Sequence, residues 1–350
     1  MTHEQETKDT SAAPSHPTDA QGKPAAPGGQ GKPRQHDKVT RMGTESIPRL
    51  ITEFAIPSIL GMLVNGAYNV IYSIFLGQAM GEIGLSTATV AMPIMTVFMA
   101  IAMLVGNGGN ALAALRMGEG KPEEAERSLG NTVTLSLIAS VVVAVVMFVP
   151  ACIDGLLSVS GATPEDWDYA MQFIRIISLG FIFQCIGMGV NNFIRTAGAP
   201  NRALGTMIIG AVACTVFNAL FVLVMGMGVV GSALATVCGQ AISCATVLWY
   251  FCLTKGVPMR LRLHMMPLHG ETVRLILSLG LASFAVQAGM AAVNFVLNNL
   301  LNMYGAQSPI GAEGALASIG VVQRVASFVV LPLIGMSIAI QPLLGFNYGA

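Results

Sequence analysis

Charge is what this sequence has least of. Only 10% of its 350 residues are Asp, Glu, Lys or Arg, against roughly 25% in an ordinary soluble domain, which leaves too little polar surface to coat a water-soluble globule. The 18 basic and 18 acidic residues cancel to a net charge of zero, which removes the concentrated basic face that nucleic-acid binding needs. All five histidines (His3, His16, His36, His264, His269) fall in polar segments. The six cysteines (Cys152, Cys185, Cys214, Cys238, Cys244, Cys252) contain no Cys-X-X-Cys and have no His nearby. They read as small buried hydrophobes. No metal cluster and no nucleophile–base pair can be assembled, so the expectation is a non-enzyme without metal or organic cofactor.

What is plentiful is apolar: 53% of the residues are hydrophobic, with 39 Gly and 21 Met, and the mean hydropathy is +0.67. Residues 1–44 stand apart. Rich in Pro, Gly, Ser and charge, they cannot offset their ordering entropy and are expected to form a disordered cytoplasmic tail. It lacks the short basic-then-apolar pattern of a cleaved signal, so the first span must serve as the insertion signal. From Ser46 onward, apolar runs long enough to cross about 30 Å of hydrocarbon as helix lie near 49–77, 85–112, 129–150, 169–191, 203–225, 229–253, 272–303 and 314–340. Closed barrels need alternating strands, which these continuous runs lack. The fold class expected is an all-α membrane protein of about eight spans.

Lys and Arg stay in cytoplasmic loops while short translocated loops exclude them. Seven basic residues from Lys8 to Arg49 precede span one. Arg116, Lys121 and Arg127 follow span two, Arg195 and Arg202 follow span four, and Lys255, Arg260, Arg262 and Arg274 bracket the link after span six. The odd-numbered connections, GQAMGEIGLS, CIDGLLSVSGATPEDWD, MGMGVVGS and YGAQSPIGAEG, hold no Lys or Arg. The N-terminus is therefore expected in the cytoplasm, and the chain in the cell (inner) membrane.

A faint internal repeat lays RLITEFAIPSILGMLVNGAYNVIYSIF from Arg49 on RLILSLGLASFAVQAGMAAVNFVLNNL from Arg274, matching Arg, Leu, Ser and the pair Asn69 and Asn294. Same-orientation repeats of six spans build secondary transporters, with the site at the repeat interface. The expected division is an N-lobe over 45–254, a cytoplasmic linker over 255–271 and a partial C-lobe over 272–350. Six spans in the first repeat leave two in the second, and the final GFNYGA reads as a loop. On this reading the chain is truncated by four spans.

None of the acidic residues sits mid-span, although ion-coupled carriers usually hold intramembrane carboxylates. The deep polar groups are amides and hydroxyls instead. Asn65, Asn69 and Tyr72 fall at i, i+4 and i+7 on one face of span one, and Asn294 and Asn298 repeat the spacing in span seven. Two matching stripes at equivalent repeat positions favour a shared cavity over interhelical hydrogen bonding; Gln184, Asn218 and Gln287 are further lining candidates. Asn107, Asn110 and Gln240 belong to the same inventory. Arg324, about ten residues into span eight, needs a partner or a wet cavity, or lies at the outer end of a span that starts late. Arg175, near an outer end, can snorkel to water. Pro57 sits mid-span in helix one and removes a backbone hydrogen bond where a bend is possible.

Four stretches carry a family resemblance: IPSILGMLVNGAYNVIYSIFLG, VGNGGNALAALRMGEGKPEEAERSLGN, NNFIRTAGAPNRALGTMIIGA with GMGVVGSALATVCGQ, and VLPLIGMSIAIQPLLGFNYGA. In order and spacing the chain resembles a multidrug and toxin extrusion (MATE) transporter, closest to the MepA-like branch, from residue 47 onward. The resemblance implies twelve spans in two lobes, a central cavity, bending at Pro57, and export of drugs against protons or sodium. Two departures stand out, since family members usually carry Asp where this chain has Tyr72 and Asn218.

The expectation is secondary active efflux of small amphipathic or cationic organic compounds by a monomer in the lipid bilayer, through alternating access and cation-coupled antiport. Proton and sodium are the possible coupling ions. Two other readings stay open: a lipid-linked precursor flippase, which predicts a cationic cavity, and a non-transporting membrane sensor or scaffold.

Overall fold

This computed structural model describes residues 41–350 apart from 161, 163–166, 255, 306 and 308–310; at some helical positions within 68–89 and 294–328 the backbone alone is described. Most of the expected tail, residues 1–40, falls outside the described residues.

Among the described residues from Ser46 onward the α-helices are α1 Ile47–Gly118, α2 Pro122–Phe148, α3 Pro150–Ser160, α4 Trp167–Thr196, α5 Pro200–Asn218, α6 Gly228–Leu253, α7 Gly270–Gly305 and α8 Gly311–Gly349. A π-helical turn, Ala219–Val224, extends α5, and a 3-10 turn, Leu263–Met265, lies before α7. No strand occurs among the described residues. Among the described residues eight segments are long and apolar enough to cross a membrane: Ile47–Ala67, Val90–Gly118, Pro122–Phe148, Trp167–Thr196, Pro200–Val224, Gly228–Leu253, Gly270–Val293 and Val329–Gly349. They match the eight expected runs in number and order.

Helix α2 shows why these residues take membrane positions. Pro122 opens it and Glu123 and Glu124 occupy its first turn, where they complement the helix dipole. Its polar residues face inward: Ser128, Thr132, Ser136 and Ser140 are buried, while Ile138, Val141, Val142 and Val145 are exposed. That is the reverse of a soluble amphipathic helix, and fits a bundle whose outside is hydrocarbon.

Three expectations about connections change. The first two spans belong to one continuous helix assignment of 72 residues, which as a straight rod would reach about 108 Å. It is not straight. Ser58 touches Arg195 and Asn110 touches Thr196, so the chain folds back on itself between Ser58 and Asn110. The GQAMGEIGLS segment, expected as a loop, contains no proline to stop the helix. Likewise CIDGLLSVS, read as connection, forms most of α3, and GFNYGA continues α8 to Gly349. There Phe346 packs against apolar side chains, which its Gly- and Asn-rich neighbourhood does not advertise.

Arg116, Lys121 and Arg127 of the α1–α2 link region share a cavity with His269 at one end of the bundle, called here the basic end. At that end α8 lies against α1: Leu50, Phe54, Ala55, Ala339 and Leu343 form one apolar cluster. Helix α7 approaches the second half of α1 where Gly108 and Gly280 meet backbone to backbone. A Cβ on Gly108 would strike the Ile276 carbonyl, and one on Gly280 the Leu104 carbonyl. Small residues at such crossings let helices gain contact in the absence of a hydrophobic drive.

The link between α6 and α7 is strapped along α2. The Glu126 carboxylate accepts the Arg260 N–H at 2.9 Å and pairs with Arg262 at 3.2 Å. Thr134 donates to the Met266 carbonyl at 2.9 Å, and Asn131 accepts the His269 N–H at 2.9 Å.

Candidate functional site

The last turn of α4, NNFIRT, places Asn191, Asn192 and Arg195 on one face, because residues three and four apart stack on a helix. The helix then ends sharply. Gly198 adopts a φ of 75°, its N–H returns to Arg195, and the Ala199 N–H returns to Ile194, a Schellman closure that needs a residue free to take positive φ. Pro200 starts α5 immediately afterwards, so α4 and α5 are held close around the Arg195 side chain.

Arg195 is 1% exposed, the largest fully buried side chain among the described residues. Its guanidinium donates from Nε to Ser58 Oγ at 3.1 Å, and from Nη1 to Asn191 Oδ1 at 2.9 Å and Asn192 Oδ1 at 2.7 Å. Nη2 reaches the Met207 sulfur at 3.4 Å. No carboxylate pairs with it among the described residues. A buried charge is normally paired; here neutral oxygens from α1 and α4 take that place.

The cage continues outward. Asn191 donates to Thr206 Oγ1 at 2.6 Å, fixing α4 to α5. Asn192 donates to Asn107 Oδ1 at 3.0 Å, and Asn107 donates to Ser283 Oγ on α7 at 3.2 Å. Gln341 of α8 donates to the Asn107 carbonyl at 3.3 Å, and Thr196 donates to Asn110 at 2.7 Å. Asn107 is thus one point where the first six spans and the last two share polar contacts. The arrangement holds no acid, base or nucleophile that points to bond chemistry, and no group of His, Cys, Asp and Glu able to hold a metal occurs among the described residues. Its chemistry is recognition and positioning.

The structure places the sequence-derived candidates as follows. Asn65 is exposed, Gln287 is half-buried on α7, and Pro57 is buried on α1 beside Ser58. Gln184 is half-buried on α4; its amide oxygen, like that of Gln240 on α6, is buried with no hydrogen-bond partner among the described residues. Asn218 is buried; it donates to the Cys214 carbonyl at 3.0 Å and accepts from Ser232 at 2.9 Å, joining α5 to α6. The side chains of Asn69, Tyr72, Asn294, Asn298 and Arg324 lie outside the described residues.

One assignment is corrected. Arg195, counted from the sequence as a loop cation after span four, is an interior residue, because the helix runs on to Thr196 before the Gly198 closure turns the chain, past the expected end at 191. The spacing of Asn191, Asn192 and Arg195 was the signal that could have found it. A cavity of about 340 Å³ at the basic end, lined by Arg116, Lys121, Glu124, Arg127, His269 and Glu271 among others, is less suggestive, since Arg116 and Lys121 already pair with Glu119 and Glu124.

Comparison with known proteins agrees with this architecture. The MatE family model matches residues 57–220. The multidrug export protein MepA of Staphylococcus haemolyticus is 23% identical over 303 residues, 87% of this chain and 65% of that protein. MepA of Staphylococcus aureus strain NCTC 8325 is 20% identical over 302 residues, 86% and 65% respectively. Among solved structures, the MATE multidrug transporter DinF-BH is 33% identical with a TM-score of 0.79, covering 88% of this chain and 67% of that one. A multidrug resistance transporter of the MOP superfamily in an outward-facing conformation is 26% identical with a TM-score of 0.80, covering 89% and 67%. The chain spans 65% of the length of these curated relatives.

Proposed function

The chain belongs to the MATE family, and from that premise we propose that it exports small amphipathic or cationic organic compounds across the cell membrane by alternating access of two lobes. The basic end is the cytoplasmic end, by the positive-inside rule. The reading is supported chiefly by one observation: the first six spans meet span seven through the hydrogen bond from Asn107 to Ser283. The relatives are transporters rather than enzymes.

The substrate cavity of this reading is lined by Asn65, Asn69, Tyr72, Gln184, Asn218, Gln287, Asn294, Asn298 and Arg324, with Pro57 as the bending point of span one. The orphaned amide oxygen of Gln184 supports a polar lining, since a buried acceptor without a partner is costly unless a ligand or water completes it. Export is driven by proton or sodium antiport in a monomer. With Tyr72 and Asn218 at positions where the family usually carries acids, the first lobe offers no titrating carboxylate there.

The test is dye export by the protein reconstituted in proteoliposomes under an imposed proton or sodium gradient. Gradient-dependent movement that Tyr72→Phe weakens is the expected outcome. Transport indifferent to Tyr72→Phe removes the residue from the cavity, and no gradient-dependent movement of any dye overturns the export reading.

A further inference from the structure

The hydrogen bonds through the buried junction all run one way. Arginine has five N–H donors and no acceptor, so the oxygens of Asn191 and Asn192 must face Arg195. Asn192 therefore presents its NH2 to Asn107, whose oxygen must face Asn192 and whose own NH2 must then face Ser283. One fixed charge sets the orientation of two successive amides, and such chains strengthen each link by polarising the next.

The two ends of the chain are related. Ser58 accepts from Arg195 in span one and Ser283 accepts from Asn107 in span seven, and these serines occupy the same place in the internal repeat, nine residues after Arg49 and Arg274 respectively. Equivalent hydroxyls of the two lobes thus terminate a single donor chain that begins at one buried guanidinium. Nearby, Gly108 and Gly280 bring the two backbones into contact, close enough for a short amide to bridge them.

We propose that Arg195 and Asn107 are positioning residues of a polar latch that holds the basic end closed, with Ser283 as its catch on the second lobe. The proposal rests on the alternating-access reading above. Opening the basic end separates Asn107 from Ser283, and reclosure is in register because the orientation of the Asn107 amide is dictated by Arg195 rather than by Ser283. The latch biases the conformational equilibrium without contacting substrate.

The test is thiol accessibility of Ala339→Cys, placed in a background with the six native cysteines replaced. Ala339 is fully buried in the apolar cluster with Leu50 and Phe54, so an impermeant maleimide added to inside-out vesicles reaches it only when the basic end opens. Ser283→Ala is expected to raise the labelling rate about three-fold, the scale of one interhelical hydrogen bond in a membrane. Asn107→Ala should raise it at least as much, and the double variant no further than Asn107→Ala alone, because both remove the same bond. Ser283→Thr should restore the parental rate, and Ser140→Ala, a buried hydroxyl bonded within its own helix, should leave it unchanged. Parental labelling in Ser283→Ala, or additive effects of the two substitutions, overturns the latch. Labelling needs neither substrate nor gradient, so a protein that exports nothing while Ser283→Ala still opens it refutes the transport reading and sustains this one.

Discussion

The side-chain oxygen of Asn131 accepts the backbone N–H of His269 at 2.9 Å, across 138 positions of sequence. The same side chain donates weakly to the Met265 and Pro267 carbonyls, each at 3.4 Å. Together with Glu126 and Thr134 it fastens the link between α6 and α7 to α2, leaving the segment just before Gly270 as the place where α7 leaves the first lobe.

Asn131→Ala removes the acceptor of the His269 N–H; because His269 is itself exposed, the freed N–H turns to water and the loss is about 0.5–1.5 kcal/mol, the net worth of one hydrogen bond. The strap should then lift locally before the bundle unfolds, since its remaining contacts lie at the surface. Limited trypsin digestion reads this at Arg260 and Arg262. Cleavage there should quicken in Asn131→Ala while cleavage elsewhere is unchanged, and equal rates would show that the strap is held by other contacts.

Gly280→Val should separate α7 from α1, because its side chain cannot share space with the Leu104 carbonyl and backbone atoms cannot yield as a flexible side chain can. The expected loss is at least about 2 kcal/mol of apparent stability in detergent. Gly289→Val on the same helix, where nothing lies within 4 Å of a Cβ, provides the comparison and should be close to neutral.

Arg195→Lys keeps the charge and loses the fork. An ammonium presents its donors from one nitrogen and cannot serve Ser58, Asn191 and Asn192 in their present places. With hydrogen bonds to charged groups worth about 1.5–3 kcal/mol each, the substitution should cost about 2 kcal/mol or more, read as a lower thermal midpoint in detergent. A midpoint equal to the parent's would mean that the cage carries little stability.

Glu119 sits in the exposed loop between α1 and α2, where Arg116 and then Lys121 hold its carboxyl below the usual carboxylate range. A depressed pKa adds stability that is complete above the ordinary carboxylate value and lost as pH falls through the depressed one. Glu119→Gln should therefore melt slightly below the parent at pH 7 and converge with it at strongly acid pH. High salt should shrink the pH 7 gap, since these groups are open to solvent.

Much of the fold is legible in the sequence, because apolar runs and basic loops are set by the bilayer, which acts on each segment separately. The turn within α1 is not, since its reversal depends on where Ser58 and Asn110 find α4 rather than on any breaker residue nearby. The site divides similarly. The amides of Asn107 and Asn110 are visible as polar groups in an apolar run, whereas the burial of Arg195 depends on the Gly198 closure and on Ser58, 137 residues earlier. A charge next to a glycine-rich link reads as surface until its partners are assembled.

The cage around Arg195 has a bearing on how the chain enters the bilayer. Ser58 and Asn107 are synthesised before α4, while Thr206 and Met207 follow it. When α4 first integrates, the oxygens of Ser58, Asn191 and Asn192 are already in the chain and only the Met207 side of the guanidinium is open. Arrival of α5 supplies Thr206, which engages Asn191, and Met207, which closes over Nη2. The last turn of span four is thus completed only by the span that follows it, so a chain ending before Pro200 lacks the side chains that close over its buried Arg195.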